Sequence, residues 1–172
     1  LAHRTRIILI VALQLLALAG VAGAKQWELM TGTVIQLETA PVDPRDLFRG
    51  DYVVLNYRIS TLEPAKLRSS YIARVYPGST VYVGLEQRGQ FWEAVSLDDI
   101  SPPAGLFIKG TVRERTGQPT FRVEYGIESY FVPEGTGRRI EAARKPLTVE
   151  VAVTSRGTAI IRRVMMDGQP IP

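Results

Sequence analysis

The chain has 172 residues, enough for one domain with its own apolar core. Hydrophobic residues make up 45% of it, which excludes wholesale disorder, and it has no cysteine, which excludes disulfides and thiolate metal sites. The formal charge is +4, but Arg4 and Arg6 precede an apolar run and the remainder is close to neutral. A nucleic-acid partner needs a concentrated basic face. The pairs Arg138-Arg139 and Arg162-Arg163 are too short to make one, so no nucleic acid is expected.

The first element is an apolar stretch, 7–24, interrupted only by Gln14. As a helix rising about 1.5 Å per residue it spans about 27 Å, enough to cross a thin or locally adapted bilayer. Arg4 and Arg6 ahead of it place the N-terminus in the cytoplasm and the rest of the chain outside, in the periplasm or its equivalent. Ala22-Gly23-Ala24 has the small-x-small form of a signal-peptide cleavage site, so a removable leader is one reading. The length of the run, and Trp27 in the place of an interfacial anchor, favour a retained transmembrane helix. The boundary between anchor (1–26) and extracytoplasmic domain (27–172) falls there.

Beyond Lys25 the punctuation is that of a mainly β domain, with β-branched and aromatic runs separated by Gly, Pro, Asn and Asp. Strands are expected at 32–39, 52–59, 80–86, 91–96, 106–115, 120–125, 147–154 and 159–166. In the second, Val53, Leu55, Tyr57 and Ile59 share one face, and Tyr52, Val54, Asn56 and Arg58 share the other. Hairpin turns are expected at 87–90, 116–119 and 155–157. One short helix is expected at 63–75, where Pro64 suits the first turn and Leu67, Tyr71 and Val75 fall on one face. Eight strands at this spacing predict a small barrel or a sandwich-like domain.

From Pro41 the chain reads Pro-Val-Asp-Pro-Arg-Asp-Leu-Phe-Arg-Gly-Asp-Tyr-Val-Val-Leu-Asn-Tyr. Asp43 can cap the turn that Pro44 opens, and Gly50-Asp51 makes a sharp turn into the strand. Asp51 at that point is expected to accept from backbone amides or from Arg45 or Arg49. This segment resembles the bacterial GDYXXLXY family of membrane-anchored proteins: Gly50, Asp51, Tyr52, Leu55 and Tyr57 match its naming motif, with Asp43, Arg45 and Asp46 upstream. Further likeness lies at Val81-Tyr82-Val83, at 125–135 and at Glu141. The resemblance implies no activity; it implies a companion of multi-pass membrane proteins.

The chemistry-bearing residues argue mostly by elimination. The lone histidine, His3, precedes the apolar run, which removes Ser-His-Asp and zinc sites from the domain. Pro133-Glu134-Gly135-Thr136-Gly137 lacks the lysine and helix of a phosphate loop. Anchored β-rich signal peptidases use a Ser–Lys dyad, yet no serine occurs between Lys25 and Ile59. Asp43, Asp46, Asp51, Glu124, Glu128, Glu134 and Glu141 leave a carboxylate-pair hydrolase as the least favoured reading. Around Tyr125, Glu128, Tyr130 and Phe131, bulky groups alternate on both faces, which suits a central strand, a ligand groove or a protein interface. The function expected is therefore non-catalytic and without cofactor: an accessory domain that binds or stabilises an integral-membrane partner. A module binding an envelope glycan or peptide is the alternative.

Overall fold

The computed structural model describes residues 2–40, 52–69, 75–102, 104–116, 120–133, 140 and 145–171. It separates into two units, Leu1–Gly32 and Thr33–Pro172. The first is helix α1, Ala2–Thr31, which runs past the boundary expected near residue 26. Leu and Ala favour the helix, and with Ile and Val they give it apolar side chains all round, from Ile8 to Leu9, Leu13, Leu16 and Val21, all of them exposed. The Thr31 hydroxyl donates back to the Trp27 carbonyl at 2.9 Å and closes the last turn. Gly32 follows, and a β-branched run then takes the chain into strand.

The second unit is mainly β. Strand β1 (Thr33–Glu38) is followed by β2 (Tyr52–Val54), β3 (Thr61–Leu62), β4 (Arg68–Ser69), β5 (Thr80–Arg88) and β6 (Phe91–Asp98). Then come β7 (Leu106–Thr116), β8 (Thr120–Glu124), β9 (Ser129–Phe131), β10 (Thr148–Val153), β11 (Ala159–Met166) and β12 (Gln169–Pro170). They form a four-stranded sheet in the order β1-β10-β11-β12, a six-stranded sheet in the order β3-β8-β7-β5-β6-β4, and the two-stranded pair β2-β9. The sheets do not close on one another among the described residues, so the architecture is the sandwich-like one and not the barrel.

Alternation decides which side of each strand is buried. Ile35 and Leu37 of β1 face Val151 and Val149 of β10, all at 1% exposure or less. Val81, Val83, Ile108, Val112, Phe121 and Val123 of the larger sheet join the same apolar cluster, as do Val53, Leu55 and Tyr57. The hairpins at 87–90 and 155–157 form as expected: Gly89 and Gly157 take φ of 65° and 79°, values a side chain disfavours.

Two expectations are corrected. Where a helix is expected over 63–75, residues 63–69 form a 3-10 turn at Pro64–Lys66 and then strand β4, which pairs in parallel with β6 through Arg68 and Ser69; residues 70–74 lie outside the described residues. Pro64 does open a helical turn, but the sheet edge offers the following backbone partners that a short isolated helix lacks. The strand expected over 52–59 stops at Val54. Its alternation nevertheless persists, because Val53, Leu55, Tyr57 and Ile59 are all buried while Arg58 is exposed.

Candidate functional site

The break in the motif strand builds a distinctive polar structure among the described residues. After Val54 the backbone changes partners: Leu55 N donates to Glu128 O at 2.7 Å, and Asn56 O accepts from Ala40 N at 2.7 Å. Tyr57 then bridges to Thr39, and Arg58–Ser60 forms a 3-10 turn closed by Ser60 N on Tyr57 O at 2.9 Å. These backbone groups find partners in residues 39–40, in Glu128 and within the turn itself, which is why no regular ladder continues.

Two tyrosines cross-brace this segment to the stretch 125–128. The Tyr57 hydroxyl donates to Ile127 O at 2.7 Å, and the Tyr125 hydroxyl donates to Ile59 O. Both rings are buried, at 1% and 6% exposure. Burial first, and the Glu128 carboxylate second, push both phenols well above their ordinary titration range. They act as neutral donors. Gly110 of β7 makes room for one of them: a Cβ there would meet Tyr125 Cδ1 at 2.9 Å, inside contact distance.

The expected run of strand through 125–132 is a turn followed by a short strand. Gly126 has φ of 80°, and the Glu128 carboxylate accepts from Tyr125 N at 2.5 Å and Gly126 N at 2.9 Å, so it holds the loop closed. Only Ser129–Phe131 is strand, paired with β2 through Tyr52–Phe131, Val53–Tyr130 and Val54–Ser129. Of the residues expected at an interface, Tyr125 is core, Glu128 and Tyr130 are half-buried, and Phe131 is exposed at 77%. Leu55 and Tyr57 of the motif are core at 1% exposure. Tyr52 is placed by its backbone pairing, and Asp43, Arg45, Asp46, Arg49, Gly50 and Asp51 lie outside the described residues, with the turn clamp expected of Asp51.

Against this braced segment lies a pocket of about 230 Å³. Val54 and Val123 form part of its wall, and its polar lining is Asn56, Ser60, Arg113, Arg122, Glu124 and Glu128. A bulge in β7 contributes to it: Val112 pairs with Val123 and Glu114 with Arg122, so Arg113 is the extra residue. Bulges re-aim side chains, and here Arg113 Nε meets Glu124 Oε2 at 2.6 Å across the strands. Arg122 Nη2 donates to Asn56 Oδ1 at 3.0 Å. The Ser60 hydroxyl has no hydrogen-bond partner among the described residues, although the residue is only 5% exposed.

Sequence reasoning named Glu124 and Glu128 as carboxylates but missed Ser60, Arg113 and Arg122 as their neighbours. The one available signal was the alternation of Arg122 and Glu124 against buried Phe121 and Val123 on β8. Glu124 is ion-paired with Arg113, and Glu128 accepts from two backbone amides. Among the described residues no group of three metal-ligating side chains converges.

The fold and motif define the class: a sandwich-like β domain that follows an apolar N-terminal helix and is organised around a broken motif strand. The chain belongs to the GDYXXLXY protein family, whose model matches residues 14–164. No curated protein and no solved structure matches it.

Proposed function

We propose that the chain is a membrane-anchored accessory domain, N-terminus inside and β domain extracytoplasmic, that works by association with an integral-membrane protein. The observation that carries this reading is α1. Its segment Arg4–Ala24 is long and apolar enough to cross a bilayer and none of it is buried. Exposed apolar surface on every side of a helix suits lipid and the helices of neighbouring membrane proteins, and it does not suit water. A span of this kind raises the local concentration of the attached domain beside other membrane proteins, so a modest contact area suffices for binding. Phe131, exposed on the short β9 beside the motif strand, supplies the kind of aromatic anchor that dominates the centres of interfaces.

The test is purification of the full chain from membranes in a mild detergent. The reading expects one integral-membrane protein in comparable amount, retained after a salt wash. Recovery of the chain alone, or only with soluble proteins, contradicts it.

A further inference from the structure

The pocket beside the motif strand carries one cation and one anion that their neighbours leave uncompensated. Arg113 and Glu124 neutralise each other. Arg122 uses one donor on the neutral Asn56 amide and has no carboxylate partner among the described residues. Glu128 accepts from two backbone amides and has no cationic partner among them. The two charges line the same pocket without pairing with each other. A guanidinium has five N–H donors and a carboxylate about four lone-pair sites, so both retain capacity. Ser60 adds a buried hydroxyl without a partner, able to donate or accept.

We propose that this pocket binds the head of a small zwitterion, an α-amino-acid group whose carboxylate meets Arg122 and Ser60 and whose ammonium meets Glu128. The charge balance selects that class, because a simple anion leaves Glu128 uncompensated and a simple cation leaves Arg122 so. Size agrees: at about 230 Å³ the pocket lies below the range of drug-sized sites, about 300–1,000 Å³, and admits a group of a few heavy atoms. Among the described residues the lining has no aromatic ring on which a sugar face would stack. The bulge at Arg113 and the cross-brace of Tyr57 and Tyr125 hold the lining in place before any ligand arrives, which lowers the cost of ordering on binding. The pocket stands on these contacts alone and does not depend on association with a membrane partner.

The experiment titrates the full-length protein in detergent with glycine and follows its melting temperature. Acetate, methylammonium and trimethylglycine serve as probes at matched concentration and ionic strength; the last keeps both charges but has no ammonium hydrogen to donate. Glycine is expected to raise the melting temperature saturably at millimolar concentration, and the other three are not. Ser60→Ala and Arg122→Gln are each expected to shift the glycine midpoint about tenfold higher, the change that corresponds to about 1.4 kcal/mol. Without ligand, Ser60→Ala is expected to melt no lower than the parent, because it removes an unpartnered group; if Arg122→Gln does not fold, Ser60→Ala decides alone. The proposal is overturned if glycine gives no saturable shift, if acetate, methylammonium or trimethylglycine reproduces it, or if folded Ser60→Ala keeps the parent midpoint.

Discussion

Tyr57→Phe isolates the bond that ties the motif strand to the following block. The substitution keeps the ring, which is buried at 1% exposure, and removes only the hydroxyl that donates to Ile127 O at 2.7 Å. No cavity opens, so the loss is that of one buried hydrogen bond with its carbonyl left without a donor. Such losses run to about 1–3 kcal/mol, and the neutral partners place this one in the lower half, at about 1–2 kcal/mol. For a domain near 150 residues each kcal/mol lowers the melting temperature by about 2–4 °C, so a fall of about 2–8 °C is expected. Tyr57→Ala adds the lost packing of the ring and is expected to exceed about 3 kcal/mol. Tyr125→Phe removes the bond to Ile59 O, and because both bonds brace one segment the double variant should depart from additivity. Urea and thermal unfolding of the detergent-solubilised protein read all four variants. A Tyr57→Phe melting temperature within about 1 °C of the parent refutes the bracing role.

Gly110→Ala forces a Cβ against Tyr125 and Val123 and is expected to destabilise by about 1–3 kcal/mol in the same assay, whereas a neutral result means that β7 and β8 are looser than described. Tyr57 and Tyr125 stay protonated in the fold above the ordinary phenol value of 10.0, while the unfolded chain ionises there. The stability they support is therefore complete below pH 10 and declines as pH rises beyond it, by about 1.4 kcal/mol per pH unit for each group; urea midpoints should fall in alkali, less steeply in Tyr57→Phe, and a flat profile contradicts this. Topology is read with Ser155→Cys, a lone thiol in an exposed turn of a chain without cysteine, which an impermeant maleimide should label in intact cells; labelling only after lysis reverses the orientation.

Local pattern made much of the fold legible. The apolar helix, the long strands β5 to β8, β10 and β11, and the glycine hairpins at Gly89 and Gly157 all follow from periodicity and turn chemistry. What escaped depends on partners distant in sequence. A helical period is expected from Leu67 onward, but Arg68 and Ser69 pair with β6 as strand. The alternation from Val53 to Ile59 correctly marks the buried face, yet nothing local reveals that Leu55 finds Glu128 and Asn56 finds Ala40. The pocket was hidden for the same reason: Ser60, Arg113, Arg122 and Glu128 come from four segments, and the bulge that delivers Arg113 is a property of β7 and β8 together. The motif is more structural than its polar beginning suggests, since Leu55 and Tyr57 are core and the polar Asn56 between them reaches the pocket.

Cross-linking in the native membrane tests whether the β domain associates with an integral-membrane protein. A photoreactive residue placed at Phe131, exposed at 77%, is compared with one at Tyr76, exposed at 65% ahead of β5. A single defined adduct is expected between position 131 and an integral-membrane chain, and none with that chain from position 76. No adduct at 131, or the same scatter of products from both positions, contradicts it.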